Sequence, residues 1–465
     1  MVEPLHPPDT PITSELLRRY DRPGPRYTSY PTAVEFHEGV GAHDYAARLA
    51  QADQTPDEPL SLYMHLPFCH ERCTFCGCHV IITKKRERST EYLGYIQREI
   101  DLVCKHLPHR RRVAQYHWGG GTPTYYSPGE MRQLHQTILD RFEILPDAEV
   151  AIEIDPRVTT REHVDVLREF GFNRLSMGVQ DFTSEVQAII NRYQDEPGTR
   201  ELFQYCREQG FNSINVDLIY GLPLQTPETF ERTLDSIIDM RPDRVAMYSF
   251  AFVPWKAGNQ NVMTEDMLPP PELKVELYLL GLRKFAQAGY VLIGMDHFAL
   301  PDDELALALQ ERRLHRNFQG YTVMPATDTL AFGVSGIGDV QGAYVQNHKA
   351  QDKYYAALRE GQLPVYRGVL LNQDDEIRRY VINQVMCNFH LDAAELDKRF
   401  GVQFDTYFAA EREVLQEHER NGFLQLHNGS IEVTRVGRVF IRNIAMTFDS
   451  YLKNKRSEKT FSKTI

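Results

Sequence analysis

The sequence predicts an α/β fold: a partial (βα)6 TIM-like barrel preceded by an N-terminal arm and followed by a mostly helical C-terminal domain. Three observations carry this expectation. From Leu60 to Ala288, apolar strand-like runs alternate with helical patterns about six times, as parallel βαβ units do. Residues 1–58 read as an N-terminal extension that holds the run Pro25-Arg26-Tyr27-Thr28-Ser29-Tyr30-Pro31-Thr32, rich in Pro and Tyr and without helical period. From Asp374 onward the pattern is largely helical.

Each element has its own signal. Leu60–His65 is apolar and runs straight into a cysteine-rich loop. Ser89–His106 has helical apolar spacing, with Ser89 or Thr90 suited to the N-cap. Val113–Trp118 reads as a strand ending in Gly119-Gly120-Gly121. Pro128–Phe142, Thr160–Phe170, Thr226–Met240 and Pro271–Ala288 read as helices. Glu149–Ile154, Arg174–Met177, Ser213–Tyr220 and Arg244–Phe250 read as strands. Val291–His297 adds one more strand, and Pro301–Thr327 is charged and loop-like. Leu424–His427 and Ile431–Thr434 flank Asn428-Gly429, a strong hairpin signal, and give the C-terminal helices a winged-helix-like ending. The expected boundaries are 1–58 for the arm, 59–300 for the barrel, 301–373 for a connecting region and barrel cover, and 374–465 for the C-terminal domain.

Of the 465 residues 42% are hydrophobic, which supports large cores; the formal charge is −12. That balance disfavours nucleic acid as a partner. The segment Met1–Thr10 is polar and Pro-rich, unlike a signal peptide, and no apolar stretch reaches the roughly 18 residues of a membrane span. A cytoplasmic monomer is expected. The 7 cysteines are odd in number, without a mark of secretion, so disulfides are not expected.

Four of those cysteines, Cys69, Cys73, Cys76 and Cys78, fall within ten residues. Cubane iron–sulfur clusters take one thiolate per iron. The spacing leaves three readings open: a cluster with one open iron, a closed electron-transfer cluster, or a zinc site helped by His65, His70 or His79. Cys104, Cys206 and Cys387 sit in amphipathic segments and read as small core residues. In parallel barrels chemistry gathers where strands end. The cysteine loop, the glycine triplet, Glu153 with Asp155, Gln180 and Asp217 all fall at or near such ends. The glycines allow close backbone approach. Glu153 and Asp217 suit a ribose diol, general acid–base work or a structural ion pair. Arg192 suits either a ligand carboxylate or a surface salt bridge.

Taken together, Tyr63-Met64-His65-Leu66-Pro67-Phe68-Cys69 with Cys73, Cys76 and Cys78 resembles the radical S-adenosylmethionine (SAM) enzymes. Several further runs narrow the resemblance to oxygen-independent coproporphyrinogen III oxidases. They are Gly24–Thr32, His117–Tyr125, Glu153–Arg157, Asn173–Phe182, Asp217–Pro223, Gly294–Ala299 and His315–Tyr321. The resemblance implies a radical SAM barrel in which Cys69, Cys73 and Cys76 hold a 4Fe–4S cluster and Cys78 is required without being a ligand. It implies two SAM molecules: Tyr63, Gly120, Glu153 and Ile337 would touch the one on the cluster. Phe75, Gly121, Thr122, Gln180, Arg192, Asp217 and Ala251 would touch the second. The implied reaction turns two propionates of coproporphyrinogen III into vinyl groups through a 5′-deoxyadenosyl radical, giving protoporphyrinogen IX in haem biosynthesis. An electron donor such as a flavodoxin or ferredoxin is implied. The substrate's four carboxylates call for local cations, with Arg26, Lys84, Lys85, Arg313 and Arg316 as candidates. A haem chaperone of the same superfamily is the rival, but such relatives typically lack the arm and a cysteine at Cys78. A tetrapyrrole methyltransferase is a second rival.

Overall fold

The computed structural model describes residues 16, 19–255, 257–324, 328–452 and 461. The expected Pro-rich start, Met1–Thr10, lies outside them.

Twelve strands form one sheet: β1 (Leu60–Leu66), β2 (Arg112–Gly120), β3 (Glu143–Ile154), β4 (Arg174–Gln180), β5 (Ser213–Tyr220), β6 (Arg244–Ser249), β7 (Val291–Gly294), β8 (His297–Ala299), β9 (Thr329–Phe332), β10 (Ile337–Val340), β11 (Ala343–Asn347) and β12 (Val365–Leu370). Their order is β12-β11-β10-β9-β1-β2-β3-β4-β5-β6-β8-β7. β9 and β1 to β6 are parallel neighbours throughout. The flanking strands pair antiparallel. The two edges, β12 and β7, do not meet, so the barrel is partial, as expected. The parallel core has a seventh strand, β9, that the six-unit reading lacked.

Six helices cover the outside: α1 (Glu87–His106), α2 (Pro128–Leu139), α3 (Arg161–Glu169), α4 (Glu196–Glu208), α5 (Pro227–Met240) and α6 (Pro271–Gln287). Polar side chains start several of them. Ser127, Thr160 and Thr226 each accept a hydrogen bond from the amide three residues on. α1 differs from expectation. It begins at Glu87 without a side-chain cap, and Ser89 instead donates to Glu130 and to the Arg86 carbonyl. Thus Ser89 ties α1 to α2.

Parallel strands covered on both faces usually read as continuous apolar runs. Here they alternate. Outward residues such as Leu62, Met64, Tyr116, Trp118, Ile152, Met177 and Val216 are buried beneath the helices. Inward residues such as Ser61, Gln115, Glu149, Arg174, Ser176, Asn215 and Arg244 line a polar lumen of about 990 Å³. The inner face of the barrel is therefore a solvated cavity rather than the side-chain layers of a closed barrel.

Two sequence expectations need correction. Pro301–Thr327 is not simply loop. Within its described part lie a helix, Glu304–Gln310, and a short antiparallel pair, His315–Asn317 with Gly320–Thr322. Leu305, Ala306, Ala308 and Leu309 bury that helix. Val291–His297 is two antiparallel strands, broken at Met295 with φ +46°. The C-terminal region opens with helix α7 (Gln373–Asn388) and carries the expected hairpin. Asn428 and Gly429 both have φ > 0, at +52° and +80°, as a tight two-residue turn demands. No described helix is long and apolar enough to cross a membrane.

The seam between β1 and the late strands depends on one buried carboxylate. Glu99 of α1 accepts from the Gly333 amide at 2.7 Å, Asn347 Nδ2 at 2.6 Å and the Tyr354 hydroxyl at 2.5 Å. Tyr92, two turns earlier, donates to the His65 carbonyl and accepts from the Val334 amide. Glu99→Ala leaves three buried donors without an acceptor. The expected cost is about 3–5 kcal/mol, read by denaturant unfolding; a loss below about 1 kcal/mol would contradict this role.

Candidate active site at the strand ends

The cysteine loop leaves β1 at Pro67 and is closed at its base by a two-residue parallel ladder. Phe68–Cys69 pairs with Ile81–Ile82, and the Thr83 amide donates to the Cys69 carbonyl at 3.1 Å. Its far end is held by two other loops. The Thr74 amide donates to Ile190 O at 3.0 Å, and Asn191 Nδ2 to Arg72 O at 3.0 Å. Asn259, in the loop after β6, is the central clamp. Its Nδ2 lies 3.2, 2.9 and 3.0 Å from the carbonyls of Cys73, Thr74 and Cys76. Gln260 Nε2 bridges Phe75 O and Ala251 O. Neither Asn259 nor Gln260 is marked by any sequence signal; a lone amide in a Gly-Asn-Gln-Asn stretch reads as loop.

The glycine triplet sits against the loop's entrance. A Cβ on Gly121 would stand 2.5 Å from the Pro67 carbonyl, so the two backbones can touch only because no side chain intervenes. That contact lets the Gly121 amide bond Leu66 O and the Thr122 amide bond Phe68 O. Thr122 Oγ1 then lies 3.3 Å from Cys69 Sγ. Gly120 has φ +114°, and a Cβ there would strike the His65 ring at 2.7 Å.

Glu153 ends β3 beside the triplet. It accepts from the Gly120 amide at 3.2 Å and lies 3.5 Å from His117 Nε2. Burial pushes this carboxyl up, but His117 and the Gly120 amide outweigh it and hold it below its ordinary value. Its side chain is 45% accessible, an exposure directed into the cleft rather than to the outer surface. Tyr63 stacks on His117 with ring centroids 5.9 Å apart and contacts His65 Nδ1 at 3.1 Å. Burial lowers His65 to about 4, so it is neutral.

Further round the rim, Asp155 joins Arg157 at 2.7 Å and Arg192 at 3.0 Å. Both guanidiniums also approach Cys73 Sγ, at 3.7 and 3.6 Å. Arg192 is thus a buried member of the site, not a surface salt bridge. Asp217 is buried at the centre, where Ser176 Oγ and Asn215 Nδ2 each donate to it at 2.8 Å. Burial first, and the nearby Glu153 charge second, raise it to about 7 against those hydrogen bonds. Gln180 turns into the cleft with φ +71°.

One cleft of about 1690 Å³ collects Cys69, Cys73, Phe75, Cys76, Cys78, Gly120, Gly121, Thr122, Glu153, Gln180, Arg192 and Asp217. Tyr63, Ala251 and Ile337 are not in its lining. Tyr63 lies behind His117. Ala251 holds Gln260. Ile337 faces a second cavity walled by Tyr27, Phe318 and Arg379. Sequence reasoning missed Arg157 and Tyr248 as cleft walls. Of the candidate cations, Arg26 is paired with Asp296 and Arg313 with Glu311. Arg316 lies over the Tyr321 ring. Lys84 and Lys85 are exposed outside the cleft.

The thiols suit an iron–sulfur cluster better than zinc. Among the described residues no three His, Cys, Asp or Glu side chains converge as ligands of a single ion must. A cubane presents its irons on a wider frame, one thiolate to each. Two guanidiniums stand ready to offset thiolate charge at Cys73. Cys78 lines the same cleft as Cys69, Cys73 and Cys76. If Asn259 is what shapes this loop, Asn259→Ala should lose iron to a chelator about tenfold faster after anaerobic reconstitution. Asn259→Asp, which sets a carboxylate against three carbonyls, should be worse than Ala. Equal retention in both variants would contradict the clamp.

The radical SAM superfamily profile matches residues 63–237, and the HemN C-terminal domain profile matches residues 371–440. The chain is 44% identical over 464 residues to the oxygen-independent coproporphyrinogen III oxidase of Synechocystis sp., covering 98% of this chain and 99% of that protein. It is 44% identical over 450 residues to the Escherichia coli protein of the same name, covering 97% and 98%. The solved coproporphyrinogen III oxidase (HemN) from Escherichia coli, described as a radical SAM enzyme, superposes with a TM-score of 0.88 at 43% identity. That match covers 92% of this chain and 97% of the other. The chain belongs to the radical SAM superfamily and, within it, to the oxygen-independent coproporphyrinogen III oxidase family.

Proposed function

We propose that this protein decarboxylates two propionates of coproporphyrinogen III to vinyl groups without oxygen, giving protoporphyrinogen IX. The observation that carries the proposal is the cleft itself. Four thiols, the carboxylates of Glu153, Asp155 and Asp217 and an open glycine backbone line it at the C-terminal ends of a partial parallel barrel, in a chain of the family that bears this activity's name.

In this reading Cys69, Cys73 and Cys76 hold a 4Fe–4S cluster. Cys78 would stay outside the ligand set, leaving one iron for SAM. Cluster and SAM, once bound, would supply one-electron radical chemistry able to take a hydrogen from a propionate β-carbon, with loss of carbon dioxide and transfer of the remaining electron to an external acceptor giving the vinyl group. The chain's own tasks are binding, orientation and exclusion of side reactions. Tyr63, Gly120, Glu153 and Ile337 are assigned to the SAM on the cluster. Phe75, Gly121, Thr122, Gln180, Arg192, Asp217 and Ala251 are assigned to a second. Glu153 is ionised and can accept from a ribose diol. Gly120 and Gly121 admit a ligand close to the backbone.

Exclusion of water falls to the arm. Arg442 donates to the carbonyls of Gly24 and Pro25, and Tyr27 to Asp449 at 2.9 Å. The C-terminal region thereby pins the arm, and Arg26 reaches Asp296 beside the Tyr248 wall of the cleft. We assign the activity to a cytoplasmic monomer that receives electrons from a flavodoxin or ferredoxin.

The direct test is an anaerobic assay with reconstituted protein, SAM, a reductant and coproporphyrinogen III. Protoporphyrinogen and 5′-deoxyadenosine are expected together, and Cys73→Ala should yield neither while losing iron. Formation of methylated tetrapyrrole instead would overturn the assignment. Asp217 supplies a second test. As pH rises from 6 to 8 its ionised fraction climbs from about a tenth to about nine tenths around a value near 7. If its carboxylate holds the ribose, SAM should bind about tenfold tighter at pH 8 than at pH 6. Asp217→Asn should flatten that dependence.

A further inference from the structure

The outer flank of the cysteine loop carries a charge opposite to that of the molecule. Between His70 and Arg88 stand Arg72, Lys84, Lys85, Arg86 and Arg88 against Glu71 and Glu87, a local +3 in a chain of −12. Arg72, Lys84, Lys85 and Arg86 are exposed. Carboxylates do not neutralise the arginines at the helix start: Arg86 lies over the Tyr125 ring at 4.5 Å and Arg88 donates to Gln351.

Its position matters more than its sign. Thr83 N–H donates to the Cys69 carbonyl, so Lys84 and Lys85 lie one and two residues beyond the residue bonded to the first cysteine of the loop. They point away from the cleft, whose lining includes neither. A tetra-anionic substrate bound within the cleft would not meet them. A body arriving from outside would.

We propose that this basic flank is the docking surface for a small acidic one-electron carrier protein. The inference rests on the proposed cluster at Cys69, Cys73 and Cys76. The docked carrier gives up one electron, the group held by those thiolates gains it, and no atom or proton is exchanged. An acidic carrier would be steered here by this positive stretch beside the site, while the acidic remainder repels it; such steering weakens as salt screens it.

The experiment compares two reductants on the reconstituted holoprotein, following cluster bleaching by visible absorbance under anaerobic conditions. One is reduced flavodoxin; the other is photoreduced 5-deazariboflavin, a small neutral donor. With Lys84→Glu and Lys85→Glu combined, the flavodoxin rate constant should fall about tenfold and lose its salt dependence. The deazaflavin rate should stay within about twofold, which also reports an intact loop. An unchanged flavodoxin rate would overturn the proposal. So would an equal loss with both donors, or a loss confined to the KM for coproporphyrinogen III, which would assign the lysines to substrate. Because bleaching is read before any turnover, absence of vinyl product would count against the proposed function and not against the docking surface.

Discussion

The site depends on a loop that cannot hold its own shape. Cys69 to Cys78 contains one internal turn, Cys76 N to Cys73 O at 3.3 Å, and otherwise borrows its geometry. The Ile81–Ile82 ladder fixes one end. Asn259 and the chain at Ile189 to Asn191 fix the other. Loops are positioned by rigid scaffolds when they carry function, and here the scaffold is three different βα connections of the same barrel.

Charge arrangement follows from that placement. Thiolates, Glu153, Asp155 and Asp217 all crowd one cleft, and like charges in a poorly solvated place raise one another's pKa. The structure separates them by partner. Asp155 is given two arginines and stays ionised. Glu153 is given a histidine and a backbone amide. Asp217 is given only neutral donors and is raised to about 7, so that it is only partly ionised near neutral pH. Carboxylates with different partners can take different roles in one pocket. Arg26 is neutralised by Asp296 and so serves to anchor the arm rather than to add positive field.

Much of this was legible in the chain. The alternation of strand and helix from Leu60 to Gln287 is strong because each strand must bury an outer face under a helix. Strand ends correctly gathered the cysteines, the glycines, Glu153, Gln180 and Asp217. What escaped was of two kinds. Strands β9 to β12 are short and paired mainly with one another or with β1, so no local period announces them; Thr329–Phe332 becomes parallel only because β1 offers a free edge. Asn259, Gln260 and Glu99 work through hydrogen bonds to distant backbone, and an amide or carboxylate in such a role has no pattern in sequence. Cys206 and Cys387 proved to be buried core thiols, as their amphipathic setting indicated.

The proposed chemistry turns on Cys69, Cys73 and Cys76 holding four irons while Cys78 stays outside the ligand set. Mössbauer spectroscopy of the 57Fe-reconstituted protein under anaerobic conditions tests this most directly. One iron should stand apart from the other three, and its signal alone should move when SAM is added. Four matched irons that ignore SAM, or a distinct iron that first appears only in Cys78→Ala, would contradict the account.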